Sequence, residues 1–394
     1  MTAALPHVRL KTAAVGLRPW IYRKMVARAP DVEDGSLVAI EARDGSHLGH
    51  GFYSRRSQIG LRVIQRGAIA EPVDEAFLRR RIRDAIYVRR KSLRLDDVTD
   101  AYRVVNSEGD DLSGLIVDRY ADVASVEIHA YAWYRRLDLI EEALREELPI
   151  RRVVVSVAEK VERAEGFEAE ARPGDAGANT RFHERGLPFR FEWDSAHKTG
   201  AFLDQRDNRE ALARYVADRD VFDGCCYQGA FALTAAVRGK AGRVVAVDLD
   251  EAAIALAREN AKLCGAQRVE FQHADVFDAL REVVASRRRF DVVVLDPPKL
   301  AASTFELARA TTKYVDLNEL GMKALRNHGL LLTCSCSGLV SEEMFLGLLR
   351  KAAARAGRKV RLHTVAGAAP DHPVSPHFPE GRYLKAVFAT VEDS

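Results

Sequence analysis

The run Val292-Val293-Val294-Leu295-Asp296-Pro297-Pro298-Lys299 constrains the fold more than any other segment of the chain. Four consecutive branched apolar residues, with no polar alternation, read as a strand buried on both faces, as in a parallel sheet covered by helices. The strand must end at Asp296. Pro297 and Pro298 have no amide hydrogen to give a neighbouring strand, and their rings fix the backbone. A second apolar run, Leu330-Leu331-Leu332, leads into Thr333-Cys334-Ser335-Cys336-Ser337. Parallel sheets bring their strand ends to one edge, where α/β folds take their ligands. An acid in a rigid corner and two thiols are therefore expected at one site.

At 394 residues the chain is too long for one ordinary domain, and its 47% hydrophobic and 30% charged residues suit a globular protein with an ample core. No stretch approaches the length of a membrane span, and the first ten residues lack the apolar core of a signal peptide, so a cytoplasmic location is expected. The five cysteines, Cys225, Cys226, Cys264, Cys334 and Cys336, make a poor disulfide framework. They contain no Cys-x-x-Cys pair and the histidines lack ligand spacing, so no metal is expected. A net charge of +3 does not by itself mark a nucleic-acid binder. Positive charge does gather in Arg79-Arg80-Arg81, Arg83 and Arg89-Arg90-Lys91, on a segment with Phe77, Leu78, Ile82 and Ile86 as its apolar face. Two readings stay open for it, a solvated helix face and an RNA-facing surface.

Three parts are expected. Residues 1–68 alternate short strands, such as Ser36 to Ile40 and Ile59 to Ile64, with glycine-bearing turns, and read as a small all-β module. Residues 69–185 combine the basic helix, strands at Ala101 to Val105, Leu115 to Val117, Val123 to Ile128 and Val153 to Val157, and a helix from Ala132 to Leu148, forming a small α+β unit. Residues 186–394 alternate strands with helices and read as α/β with a parallel sheet. Strands are predicted there at Val221 to Asp223, Arg243 to Val247, Arg268 to Phe271, Phe290 to Leu295, Leu330 to Thr333, Lys359 to Val365 and Tyr383 to Thr390.

Within this last part, Asp223-Gly224-Cys225-Cys226-Tyr227-Gln228-Gly229 follows the first strand, and its glycines would let backbone amides approach a ligand. Asp248 ends the next strand, where an acid can accept the ribose hydroxyls of a nucleoside cofactor. The Gly-x-Gly-x-x-Gly pattern is missing, which disfavours a nicotinamide dinucleotide. Asp275, after the third strand, fits either an adenine amino group or a helix N-cap. Of Cys334 and Cys336, on an extended strand end, one is expected at the site and the other in the interior.

Together these residues resemble the class I S-adenosylmethionine-dependent methyltransferases. The block from Lys198-Thr199-Gly200 through Phe202-Leu203-Asp204-Gln205-Arg206 to Arg209 resembles a signature of the bacterial large-subunit ribosomal RNA cytosine-C5 methyltransferases, which carry an N-terminal PUA domain. Asp296-Pro297-Pro298-Lys299, Ser335-Cys336-Ser337-Gly338 and the tail from Asp371-His372-Pro373 through Phe378-Pro379-Glu380 to Tyr383-Leu384-Lys385 fit the same family. The resemblance implies a PUA-like domain, a small middle α+β domain and a Rossmann-like methyltransferase domain. It implies S-adenosylmethionine as cofactor, held by Asp223, Gly224, Tyr227, Gly229, Asp248, Asp275, Asp296, Thr199, Phe202, Gln205 and Arg206. It also implies ribosomal RNA as partner, with an unpaired or flipped cytosine; a homodimer is left as an option.

On this resemblance a thiolate adds to carbon 6 of cytosine and makes carbon 5 nucleophilic. Cys336 is the candidate nucleophile, because it aligns with the Ser-Cys-Ser element, and Cys334 is the reserve. Asp296 would hold the ring amino group or the protonated nitrogen. The proton-abstracting base is either a water or Asp296. His372 and Phe378 either touch RNA or belong to a rigid structural loop. The alternatives are methylation of an exocyclic amino group, an RNA-binding protein with a decayed site (suggested by Ala230, where the family often has a second glycine), and a thiol redox enzyme. The last is weak, because the adjacent Cys225 and Cys226 would bridge only with strain.

Overall fold

The computed structural model describes residues 5–69, 71–170, 172, 179–193 and 201–394. Thr199 and the turn-rich run from Pro173 to Gly177 lie outside them. The chain divides into two compact units, Met1–Phe182 with Pro370–Gly381, and His183–Ala369 with Arg382–Ser394.

The first unit opens with β1 (His7–Leu10), β2 (Trp20–Tyr22), β3 (Val26–Arg28), β4 (Leu37–Glu41), β5 (His47–Tyr53) and β6 (Ile59–Arg66). They form one sheet in the order β2-β6-β5-β4-β1-β3. Alternation sets its faces: Val8 and Leu10 are fully buried while His7 and Arg9 between them are exposed. Helix α1 (Glu75–Tyr87) begins at Asp74, whose carboxylate accepts the Phe77 amide at 3.0 Å. It buries Phe77, Leu78, Ile82 and Ile86. β7 (Ala101–Asn106), β8 (Leu115–Tyr120), β9 (Val123–Ile128), α2 (Tyr131–Tyr134), α3 (Leu137–Glu147), β10 (Arg152–Val157) and α4 (Glu159–Glu165) follow, and the strands form a second sheet in the order β10-β9-β8-β7. The single helix expected from Ala132 to Leu148 is split at Arg135 and Arg136. The Arg136 guanidinium turns back onto the Ala132 and Gly35 carbonyls at 2.8 and 2.9 Å.

The arginine stripe is answered by acids. Arg79 and Arg83 pair with Glu146, Arg80 with Glu71, Arg81 with Asp111, Arg89 with Asp110 and Arg90 with Asp96. This matches a neutralised helix face better than a phosphate-binding one, since each guanidinium already has a carboxylate. Arg89 is fully buried. Its Nη2 donates to Asp110 at 2.8 Å and to the Asp371 carbonyl at 2.7 Å, and its Nε donates to the Arg103 carbonyl at 3.0 Å. Asp371 in turn accepts the Arg103 amide at 2.9 Å. The segment Pro370–Gly381 is thereby locked into the first unit. Phe378 is buried with its ring centroid 4.6 Å from Trp20, and His372 is buried beside Asp371. Of the two readings of this loop, the rigid structural one fits these contacts.

The second unit contains β11 (Asn179–Glu184, whose last two residues belong here), β12 (Leu187–Glu192), α5 (Arg206–Ala213), β13 (Asp220–Gly224), α6 (Ala230–Leu233), β14 (Arg243–Asp248), α7 (Glu251–Leu263), β15 (Glu270–His273), α8 (Val276–Ala285), β16 (Phe290–Leu295), α9 (Leu307–Ala324), β17 (Leu325–Ser335), α10 (Glu342–Ala356), β18 (Arg358–Ala366) and β19 (Lys385–Asp393). β11 and β12 make a two-stranded sheet that the hydropathy pattern did not announce. The main sheet has the order β15-β14-β13-β16-β17-β19-β18. Its first five strands in that order are parallel, and β19 runs antiparallel to β17 and β18. The third strand starts at Glu270 rather than Arg268, because the Val269 amide closes a turn onto the Ala266 carbonyl at 3.1 Å. The chain winds out from β13 to β15, then returns to β16 on the other side of β13. That reversal opens a crevice at the carboxyl ends of the strands. No helix among the described residues is long and apolar enough to cross a membrane.

Removing Arg89 would strand Asp110 and free the Asp371 carbonyl inside the first unit. Arg89→Ala is expected to lower that unit's stability by about 3–5 kcal/mol. Urea unfolding followed by tryptophan fluorescence reads this directly, because Trp20 and Trp133 both lie there; an unchanged midpoint would refute it.

Candidate functional site

Four parallel strands end in acids or thiols at the same edge: β13 at Asp223-Gly224, β14 at Asp248, β16 just before Asp296, and β17 just before Cys336. Asp223 is fully buried. Its Oδ2 accepts the Ala232 amide at 2.9 Å, while its Oδ1 is buried without a hydrogen-bond partner. Burial, reinforced by the neighbouring Asp296 and Asp248 charges, pushes its pKa up to about 8. Asp296, half-buried, is pushed up to about 7 by burial and then by the Asp204 carboxylate. The Gln205 amide at 3.1 Å pulls in the opposite direction. Cys225 lies among these acids. Its thiol is raised well above its ordinary value by burial and then by Asp248, Asp296, Asp223 and Asp275. Four of the predicted carboxylates thus converge on one loop.

That loop is tightly wound. Cys225, Tyr227 and Gly229 all have positive φ, at 64°, 49° and 81°. Gly229 has no substitute there: a Cβ would approach the Phe271 ring to 2.8 Å in a backbone region that disfavours side chains. Ala230 opens helix α6, so this departure from the family pattern falls on an ordinary helical position. The loop's amides are used inward. Cys226 N donates to the Val247 carbonyl at 3.0 Å, Tyr227 N to Asp248 Oδ2 at 2.7 Å, and Gly229 N to the Cys226 carbonyl at 2.8 Å. Asp248 Oδ1 takes the Asp250 amide at 2.9 Å. Both Asp248 oxygens are therefore oriented by backbone, which leaves their remaining lone pairs aimed. Asp275 caps α8 through Oδ1, accepting from Phe277 at 2.8 Å and from Asp278 at 3.3 Å. The exposed Phe202 ring meets Tyr227 edge-on at 5.2 Å. Gln205 joins Asp296 to Asn208, and Asn208 reaches the Gly367 carbonyl at 3.1 Å. Arg206 is buried with its guanidinium 3.6 Å from Asp207.

The two thiols part where β17 ends: residues two apart would share a face of a regular strand, but the strand stops at Ser335, between them. Cys334 is fully buried within β17, next to Asp296 and Gln205, and burial holds its thiol well above the ordinary range. Cys336 lies just past the strand and keeps exposed surface. It is framed by two anchored serines. Ser335 Oγ donates to the Tyr314 hydroxyl at 2.9 Å, Ser337 Oγ lies 3.3 Å from that same hydroxyl, and Ser337 Oγ accepts the Ala301 amide at 3.2 Å. Lys385, opposite Ser335 in the β17–β19 register, sends its Nζ to the carbonyls of Ser337 and Tyr383 at 2.8 and 2.7 Å. Burial pushes its pKa down to about 8, and a charge on Cys336 pulls it back up. Asp204, within the same group, accepts the Tyr383 hydroxyl at 2.7 Å. The roles of Lys385, Tyr314 and Asp204 were not read from sequence. The one available signal was a lone lysine at the head of the apolar strand Lys385-Ala386-Val387-Phe388.

A buried cluster of acids with one carboxylate oxygen unanswered suits a ligand that brings positive charge and hydrogen-bond donors. Among the described residues, no group of three histidines, cysteines or acids could hold a metal ion.

The S-adenosylmethionine-dependent methyltransferase family matches residues 168–379, and a PUA-like domain matches residues 13–66. The ribosomal RNA large subunit methyltransferase I of Aeromonas hydrophila is 37% identical over 376 residues, covering 94% of each chain. The protein of the same name from Vibrio vulnificus is 34% identical and covers 98% of each. A candidate SAM-dependent methyltransferase structure from Streptococcus mutans shares the fold, with a TM-score of 0.79 over 98% of this chain and 100% of that one at 19% identity. Another solved chain with the same TM-score, at 20% identity, was complexed with SAH. The chain therefore belongs to the S-adenosylmethionine-dependent methyltransferases, in the family of the proteins named ribosomal RNA large subunit methyltransferase I, with a PUA-like domain near its N-terminal end.

Proposed function

We propose that this protein methylates carbon 5 of a cytosine in large-subunit ribosomal RNA, with Cys336 as covalent nucleophile. The relatives' names supply the RNA class. The observation that carries the chemistry is the accessible Cys336 thiol, pinned between two fixed serines and facing the Lys385 ammonium, beside an Asp296 with a pKa near neutrality. We read the chain in three parts, 1–68, 69–185 and 186–394. Among the described residues, a hydrophobic cluster from Val8 to Val63 falls in the first part and one from Phe222 to Val391 in the last; the cluster of the middle part also takes in Phe52 and Ile64 from the first.

The cofactor, when bound, would supply a methyl group made electrophilic by positively charged sulfur. Asp223, Gly224, Tyr227 and Gly229 would shape its cradle, Asp248 would take the ribose hydroxyls, Asp275 the adenine amino group, and Phe202, Gln205 and Arg206 would line the approach, with Thr199 beyond the described residues. Asp223 Oδ1, buried without a partner, would be able to accept a hydrogen bond from it.

A thiol at its ordinary pKa of about 8.5 is only a few per cent ionised at neutral pH, so a neighbouring cation matters. The Lys385 ammonium stabilises the Cys336 thiolate. The thiolate bonds to carbon 6 of cytosine while the protonated Asp296 gives its proton to ring nitrogen 3; the carbon 5–carbon 6 double bond shifts to carbon 4–carbon 5, leaving an enamine that is nucleophilic at carbon 5. Carbon 5 then takes the methyl group, whose former sulfur leaves as a neutral thioether. Loss of the carbon 5 proton to a water or to the ionised Asp296 re-forms the carbon 5–carbon 6 double bond and releases the thiolate, and nitrogen 3 gives up its proton to solvent. The cytosine must leave its stack to reach this edge. The full burial of Cys334 supports Cys336 over it as the attacking thiol.

Cys336→Ala is expected to abolish turnover while S-adenosylmethionine binding by calorimetry is kept, and Cys334→Ser is expected to retain most activity. RNA containing 5-fluorocytidine should trap wild type, and not Cys336→Ala, as a covalent band on a denaturing gel. Full turnover with both cysteines replaced would favour amino methylation instead.

If Lys385 sustains the thiolate, Lys385→Met moves the pH profile of Cys336 alkylation upward, and Lys385→Arg restores it in part. Peptide mass spectrometry assigns the modified cysteine. Identical profiles would remove Lys385 from the chemistry.

The Asp223 carboxyl, raised to about 8, keeps its proton in the folded state at pH values where the unfolded chain, with its ordinary value near 3.8, has lost it. The ligand-free protein therefore loses stability as pH rises from about 4 to about 8. Asp223→Asn should flatten that decline in melting temperature and weaken cofactor binding. Parallel declines in both proteins would contradict the assignment.

A further inference from the structure

Phe305 is 96% exposed, the highest value among the large apolar side chains of the described residues. Scattered exposed hydrophobics are ordinary, so exposure alone means little. What sets this ring apart is that it is held out rather than left out. It sits on the short turn Thr304–Glu306 on the connection from β16 to α9. Ser303 and Glu306 form a capping box: the Glu306 carboxylate accepts the Ala302 and Ser303 amides at 2.8 and 3.0 Å, and the Glu306 amide returns to the Ser303 carbonyl at 3.1 Å. Helix α9 begins at the next residue. The turn is therefore fixed at both ends with its aromatic side chain outward.

The position of the turn gives the exposure a purpose. The connection leaves the carboxyl edge of the sheet directly after Asp296-Pro297-Pro298. Ala301, fully buried, donates its amide to Ser337 Oγ at 3.2 Å, which ties the connection to the residue beside Cys336. Four residues reach at most about 14 Å, which bounds how far Phe305 lies from the anchored Ala301. Exposed Lys299 and Arg309 flank the turn in sequence. An exposed aromatic face flanked in sequence by cations, on the connection that leaves the edge carrying the candidate site, has the composition of a single-strand binding platform.

We propose that Phe305 is a stacking platform for an unpaired nucleobase of the substrate RNA, next to the cytosine being modified. This rests on the reading of the protein as an RNA methyltransferase. The platform would engage any base, because each has a π face, and so contributes affinity rather than sequence choice.

The test uses full-length protein with an unmodified large-subunit ribosomal RNA transcript. Phe305→Ala should raise the Kd and KM for RNA about tenfold, with kcat and S-adenosylmethionine affinity unchanged. Phe305→Tyr should keep wild-type affinity and Phe305→Leu should not. In Phe305→Trp the added fluorescence should be quenched on binding the transcript. Unaltered RNA affinity in Phe305→Ala, or full rescue by Leu, overturns the platform; the second outcome would point to an apolar protein contact. If the wild type binds and methylates the transcript while Phe305→Ala is unaffected, only the platform falls. If the wild type neither binds nor methylates it, the RNA reading falls and takes the platform with it.

Discussion

Like charges buried together are costly unless something answers them, and the second unit is built around that cost. Asp223, Asp248, Asp275 and Asp296 meet at the carboxyl edge of one sheet, and two of them are pushed toward neutrality: Asp223 by burial and by Asp296 and Asp248, Asp296 by burial and by Asp204. A core selected for stability alone would not gather them. The arrangement makes sense for a protein whose ligand carries positive charge, and membership of the S-adenosylmethionine-dependent methyltransferases names such a ligand. The wound loop over the acids follows from the same demand. Its left-handed residues turn the Tyr227 amide into the Asp248 carboxylate, which orients that carboxylate from the protein side.

The second constraint is the pairing of β17 with β19. Placing Lys385 opposite Ser335 carries an ammonium to the Ser337 carbonyl, just past Cys336. A register slip of one residue would turn Lys385 to the other face and put an apolar side chain in its place. The antiparallel last strand thus positions a charge as well as closing the sheet. The same strand ending explains why two thiols so close in sequence have different surroundings: Cys334 is still inside the regular strand, and Cys336 is beyond it.

Elsewhere, charge that looked available is spoken for. The arginine stripe on α1 and the turn after it has the composition of a phosphate-binding face, yet its guanidinium groups find carboxylates from other elements. Composition counts cations but not their partners, and the acids concerned lie as far away as Asp110, Asp111, Glu142 and Glu146 in the chain. The loop carrying His372 and Phe378 is a similar case. Family motifs mark it as important, and its contacts with Arg89, Arg103 and Trp20 give a structural reason.

The sequence by itself determined the parallel sheet and the edge at which chemistry would sit. Runs such as Val292 to Leu295 can only be buried strands, and Asp-Pro-Pro can only end one, because these are local properties of side chains and backbone. The divergence of Cys334 and Cys336 did not follow from the strand period, since residues two apart share a face of a regular strand; it comes from β17 ending between them. Only the tertiary structure decided which thiol is sealed. It alone brought Lys385 to the carbonyl of Ser337, next to Cys336, and left one oxygen of Asp223 unanswered. Burial, strand register and charge pairing depend on residues far apart in sequence, and no local pattern encodes which of them will meet.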